Sequence, residues 1–197
     1  LSSSSAASDV YKRQALLNLD TKTGVSIQKM QLKLDTGPVI LDQEIPIDAE
    51  DDFLTLKKKL SFEAASLAKK WWDLAPNFPN GKVQDESKVS YAGIIKKEDG
   101  KLTSIDSTKT AMGKIKAYVE WPGAFVTIEQ KNFKITKAQI STIRIPNGTL
   151  SSQNKRLLLG FQDGSLEVIE IQPESKPKLS AASFLNGYQQ YLGKVFS

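Results

Sequence analysis

Arg156-Leu157-Leu158-Leu159-Gly160-Phe161 and Ser165-Leu166-Glu167-Val168-Ile169-Glu170-Ile171 are two β-rich runs separated by Gln162 and the dipeptide Asp163-Gly164. An Asp-Gly step between two apolar runs is a strong short-range hairpin signal, because both residues tolerate the tight backbone of a two-residue turn. Working outward, residues 124–129, 133–138 and 141–145 read as three further short strands. Five short strands with Gly and Asn turns predict a small antiparallel Greek-key barrel of the oligonucleotide-binding kind. Ser107 is placed to cap a short helix with Met112, Ile115 and Val119 on one side, ended by Trp121-Pro122-Gly123. Ser180 is placed to cap a terminal helix carrying Phe184, Leu185, Tyr188 and Leu192.

Upstream the periodicity changes. Residues 24–30 and 38–45 alternate as strands on either side of the turn-like Asp35-Thr36-Gly37-Pro38. Asp51 reads as the N-cap of a helix in which Phe53, Leu56, Leu60, Leu67 and Trp71 recur at helical spacing, so this helix should pack on the two strands. Trp71 and Trp72 are expected to serve packing. Pro79, Gly81 and a polar run mark residues 77–100 as a linker between residues 15–76 and 101–197. The Ser- and Ala-rich residues 1–14 have no apolar period to bury and are expected to be a disordered or non-native leader.

The composition removes several chemistries. Among 197 residues there is no Cys and no His, which excludes disulfides, thiolate catalysis, imidazole general bases and His- or Cys-based metal sites within this chain. No apolar run approaches the roughly 20 residues that span a bilayer, so the expectation is a cytoplasmic protein with no membrane partner and no metal. Residues 1–80 hold 10 Lys or Arg against 11 Asp or Glu, and residues 81–197 hold 17 against 11. A basic back half suits a polyanion partner, and it equally suits a lysine-rich solvated surface.

Leu34-Asp35-Thr36-Gly37-Pro38 is the sharpest local motif. A carboxylate at a strand end beside Gly can reach a ligand on the sheet edge, while Asp, Thr and Gly are also ordinary turn formers. Apolar-Asp-Thr-Gly is in addition the core of aspartic proteases. The residues after Gly37, and Phe161 following Leu158-Leu159-Gly160, do not continue the protease pattern.

The order of motifs along residues 15–197 resembles that of the methionyl-tRNA formyltransferases. The resemblance is carried by Thr23-Gly24-Val25-Ser26-Ile27, Met30 through Leu34-Asp35-Thr36-Gly37-Pro38, and Ile45-Pro46-Ile47. It continues in Val83-Gln84-Asp85-Glu86, Tyr91-Ala92, Ile95-Lys96-Lys97-Glu98-Asp99-Gly100 and Trp121-Pro122-Gly123-Ala124-Phe125. Gly164, Leu166, Ile169, Ile171-Gln172-Pro173-Glu174, Lys176, Lys178 and the stretch from Leu179 to Gly187 complete it.

The resemblance implies an α/β remnant, the end of a Rossmann-like formyltransferase domain, followed by an OB-like barrel domain with a C-terminal helix. It implies formyl transfer from N10-formyltetrahydrofolate to the methionine amino group of initiator methionyl-tRNA in translation initiation. In the family an Asn, a His and an Asp share the chemistry, and Asp35 matches the Asp. Gln31, Leu32, Lys33 and Leu34 would border the folate together with Asp35. The Asn and His are expected upstream of the matching residues, so this polypeptide is expected to be inactive alone; it is also expected to be a monomer. Lys96, Lys97, Lys114, Lys116, Lys131, Lys134, Lys137, Lys176 and Lys178 are candidates for tRNA phosphate contact. The alternatives are an RNA-binding barrel module without catalysis, or a folate-dependent formyltransferase acting on another amine.

Overall fold

The computed structural model describes residues 5–33, 35–74, 76–89 and 93–197. The chain forms two compact units, one comprising Leu1–Ala15 with Asp20–Gly93 and the other Leu16–Leu19 with Ile94–Ser197.

The first unit is built on an antiparallel hairpin, β1 (Lys22–Gln28) against β2 (Val39–Pro46), with Lys22 opposite Pro46 and Ile27 opposite Leu41. The register slips between Ile27 and Gln28, a bulge at the mouth of the connecting loop that re-aims the end of β1. Helix α2 (Phe53–Asp73) buries Phe53, Leu56, Leu60 and Leu67, as its period predicts. Its N-cap is Asp52, one residue later than expected, in a reciprocal capping box with Thr55. Asp51 instead accepts from the Asp48 backbone N–H at 2.8 Å and from Thr55 and Lys59 side chains. Burial alone would raise the Asp51 carboxyl, but these donors hold it below the ordinary carboxylate value.

Residues 5–14 fall within the stretch expected to be a disordered or non-native leader. They belong to helix α1 (Ser5–Leu17), in which Ala15 and Leu16 are buried and the Arg13 guanidinium lies 3.8 Å above the Phe53 ring. Asp9 pairs with Lys12 at 3.1 Å and with Lys57 of α2 at 3.3 Å. Trp71 stacks on Phe78 at 4.8 Å between centroids, whereas Trp72 is 72% exposed and does not join the core.

In the second unit the antiparallel strands β3 (Phe125–Ile128), β4 (Lys131–Ser141), β5 (Thr149–Gln153), β6 (Arg156–Phe161), β7 (Gly164–Pro173), β8 (Leu179–Ser180) and β9 (Lys194–Val195) run in the order β3-β4-β7-β6-β5-β9, with β8 on β7. The two ends of this sheet meet. Thr127 of β3 and Ser197, just beyond β9, exchange backbone hydrogen bonds of 3.2 and 3.0 Å, so the sheet curls into a nearly closed barrel.

The barrel encloses Val126, Ile128, Phe133, Ile135, Leu150, Leu157, Leu159, Leu166, Val168 and Phe196, capped by Ile115 of α3 (Thr108–Ala117) and Phe184 of α4 (Ala181–Gly187). Ser107 and Ser180 are the N-caps expected, accepting from Thr110 and Ser183 backbone N–H groups. Helix α4 stops at Gly187, so Tyr188 and Leu192 lie beyond it.

One strand expectation is corrected, and one strand was not expected. Residues 141–145 form no separate strand; β4 ends at Ser141, and the following loop is tied down by Ser165 Oγ donating to the Ile143 carbonyl. The fifth large strand is β5, in which Leu150 is the buried apolar residue, and it turns into β6 through Asn154-Lys155, both at positive φ. The Asp163-Gly164 signal does mark the β6-β7 hairpin, with Phe161 opposite Gly164 and Gln162-Asp163 as the loop.

Candidate functional site

The loop between β1 and β2 carries Asp35, and local chemistry explains its shape. The Lys29 N–H donates to the Pro38 carbonyl at 3.0 Å, closing the base of the loop. Gly37 lies so close to the Lys29 carbonyl that a Cβ there would overlap it. Asp35 itself sits at φ 59°, a left-handed conformation that Asp adopts more readily than most residues. Thr36 Oγ1 donates to the Lys33 carbonyl at 2.9 Å.

The Asp35 carboxylate is met by a side chain from the bulged end of β1: Gln28 Nε2 donates to its Oδ1 at 3.2 Å. A second amide, Gln84, enters from the segment after α2. That segment is set beside β2 by the paired Val39 and Lys82 backbones, with hydrogen bonds of 2.8 and 2.7 Å. Gln84 Nε2 then reaches the Asp35 carbonyl at 2.8 Å, the Gly37 carbonyl at 2.7 Å and Gln28 Oε1 at 3.0 Å. The composition offered no sign of either glutamine as a site residue, although Gln84 stands in a quoted motif.

Met30, Gln31, Leu32 and Lys33 line a shallow, open concavity beside Asp35. Met30 is 81% exposed and Leu32 is wholly exposed, so an apolar surface is presented to solvent here. Leu34, Tyr91 and Ala92 lie outside the described residues. Among the described residues no group of three or more His, Cys, Asp or Glu could hold a metal ion, and no helix is long and apolar enough to cross a membrane.

The nine candidate lysines all fall in the second unit, in different circumstances. Lys114 donates to the Lys101 carbonyl at 2.8 Å and pairs with Asp106 at 3.0 Å, fastening the loop before α3. Lys134 donates to the Val119 and Glu120 carbonyls at 3.0 and 3.2 Å; burial first, then the nearby Lys178, pushes its ammonium below the ordinary lysine value. Lys116 is half-buried. Lys131 lies 3.0 Å from Tyr191 Oη, and Lys178 pairs with Glu170 at 3.3 Å. Lys96, Lys97, Lys137 and Lys176 are exposed. Trp121 is half-exposed, and the Lys134 stem lies against Gly123.

Residues 9–69 match the formyl transferase family and residues 94–189 match the formyl transferase C-terminal domain. This chain belongs to the formyl transferase family. Its fold is accordingly a remnant of the formyl transferase N-terminal domain followed by the barrel-bearing C-terminal domain.

A curated relative, the methionyl-tRNA formyltransferase of Dehalococcoides mccartyi strain CBDB1, is 33% identical over 181 residues, or 90% of this chain and 58% of the relative. The one from Listeria innocua serovar 6a is 36% identical over 188 residues, or 92% of this chain and 59% of the relative. The chain thus spans a little over half the length of the curated relatives it matches. HypX from Aquifex aeolicus, solved in complex with tetrahydrofolic acid, shares the fold with TM-score 0.67 at 16% identity, over 92% of this chain and 33% of that one.

Proposed function

We propose that the chain is part of a methionyl-tRNA formyltransferase, transferring the formyl group of N10-formyltetrahydrofolate to the methionine amino group of initiator methionyl-tRNA in the cytoplasm. The observation that carries this reading is the Asp35 turn. A carboxylate is held at a strand end by a side-chain amide, beside an exposed apolar loop, in a chain whose 33–36% identical relatives bear that name. Residues 15–76 are assigned to the catalytic part, 77–100 to the linker and 101–197 to tRNA binding by a monomer.

In the reaction the methionine amine attacks the formyl carbon, a C–N bond forms, the bond from that carbon to N10 breaks, and the proton lost by the amine is returned to N10. Charge develops on the formyl oxygen, so polarising donors and a proton acceptor are needed. Asp35 orients the family's imidazole and maintains its protonation state, while Gln31, Leu32 and Lys33 border the pterin. This chain contains no histidine. The 197-residue polypeptide alone therefore gives no turnover with donor and charged tRNA, and measurable turnover would sink that assignment.

The direct test uses a complete enzyme in which this chain is joined to the additional segment of a curated relative. Asp35→Asn should lower kcat by about 10²–10⁴-fold while the Kd for tRNA stays within about twofold. Unchanged turnover retires the catalytic role of Asp35, and transfer to an amino sugar in place of tRNA reassigns the acceptor.

A further inference from the structure

We propose that Gln84 is a positioning residue for Asp35, setting the direction of the hydrogen-bond chain that ends on the Asp35 carboxylate; its catalytic importance rests on the reading of Asp35 above. The Asp35 and Gly37 backbone carbonyls can only accept, and both lie within 2.8 Å of the same Gln84 nitrogen. Turning that amide over would aim its oxygen at two carbonyl oxygens, so Gln84 must present its NH₂. The third contact, 3.0 Å to Gln28, must then fall on the Gln28 oxygen. With its oxygen accepting, Gln28 is left with its NH₂ toward Asp35, where it donates at 3.2 Å.

Two backbone carbonyls thus orient one amide, that amide orients a second, and the second offers Asp35 a donor instead of a competing oxygen. Three acceptors surround two amide hydrogens on Gln84, so one hydrogen is shared between two of them. The same contacts pin the carbonyls on both sides of Thr36, which holds Asp35 in its left-handed turn. The bulge at Gln28 and the Val39–Lys82 pairing bring the two glutamines together from positions 56 residues apart.

NMR on the intact 197-residue chain tests this without requiring turnover. The left-handed Asp35 conformation is read from its intraresidue HN–Hα NOE and coupling, and the Gln28 and Gln84 side-chain NH₂ groups are observed directly. Gln84→Glu is nearly isosteric but cannot donate at neutral pH. It should abolish the left-handed signature and shift the Gln28 NH₂, leaving the amides of Leu157, Leu158 and Leu159 in place. Acidification below the ordinary Glu value of about 4.3 should partly restore both signals, because a protonated carboxyl donates once.

Gln84→Ala should loosen the turn without the pH-dependent rescue. An Asp35 turn and Gln28 NH₂ unchanged in both variants would overturn the proposal. In the complete enzyme, Gln84→Glu should reduce kcat by about tenfold or more with KM for charged tRNA unchanged, and it should add nothing in an Asp35→Asn background. An additional loss in that background assigns Gln84 an independent role and also overturns the proposal. Full turnover by Asp35→Asn, with the NMR response to Gln84→Glu intact, overturns the reading of Asp35 alone.

Discussion

At the scale of residues, the β1–β2 loop depends on close approaches that leave no room for change. Gly37 is needed because its neighbour is a backbone carbonyl, Lys29, which cannot rotate away as a side chain could. Gly37→Ala should therefore destabilise the first unit by about 1–3 kcal/mol, measured by urea denaturation, and should disturb Asp35 as well. No loss of stability would mean that the loop is free to shift. Asp35 carries a different requirement. Its turn conformation is one that Asn also adopts, so Asp35→Asn should preserve the local fold and expose only the loss of the charge. Gly37→Ala and Asp35→Asn thereby separate shape from chemistry at adjacent points of one loop.

At the scale of elements, helix α3 shows how a cap can come from a distant hairpin. Ser107 satisfies the Thr110 N–H from within the chain segment, and Asp163 of the β6–β7 turn accepts from the Thr108 N–H at 2.8 Å and hydroxyl at 3.0 Å. A carboxylate at a helix N-terminus is also favoured by the helix dipole. The backbone N–H of Thr108 is the leading cause that holds the Asp163 carboxyl below its ordinary value. A carboxyl depressed in the folded state contributes stability above its unfolded value, near 3.9, and loses it as pH falls through the lower folded value. Asp163→Ala should cost about 1 kcal/mol at pH 7. The gap between the two proteins in urea denaturation should close as the solution is acidified below that range; a gap independent of pH would show that the charge contributes nothing.

At the scale of the whole barrel, closure rests on the last few residues. Phe196 is 1% exposed, packs edge-on to Phe161 at 5.7 Å, and stands next to the Ser197 backbone that pairs with Thr127. Phe196→Ala should cost about 3–5 kcal/mol in denaturant unfolding of the second unit, and a loss under 1 kcal/mol would mean that the seam is not structural. The outer surface makes a separate prediction. Lys137→Gln and Lys176→Gln should each reduce the salt dependence of tRNA binding by roughly one counterion. Lys114→Gln should act mainly on stability, because Lys114 already joins Asp106 to the Lys101 carbonyl. An unchanged salt slope in the first two variants would assign those lysines to solvation.

What the sequence determined by itself is what neighbouring residues decide. The β6–β7 hairpin, the Ser107 and Ser180 caps, the apolar stripe of α2 and the absence of any imidazole depend on spacing or composition, and each holds in the folded chain. The helix at residues 5–17 and strand β5 were harder to read, because their order comes from packing. Arg13 finds the Phe53 ring, and β5 buries Leu150 while pairing with both β6 and β9. Only the tertiary structure decided the barrel seam, the separation of engaged lysines from exposed ones, and the path from Gln84 through Gln28 to Asp35. Gln84 reaches Gln28 and Asp35 from 56 and 49 residues away, and Thr127 meets Ser197 across the seam; a polar side chain has no local rule for choosing a distant partner. Its donors and acceptors take their roles only after the backbone has placed carbonyls around them, which is why Asp35 is an ordinary turn residue in the sequence and a held carboxylate in the fold.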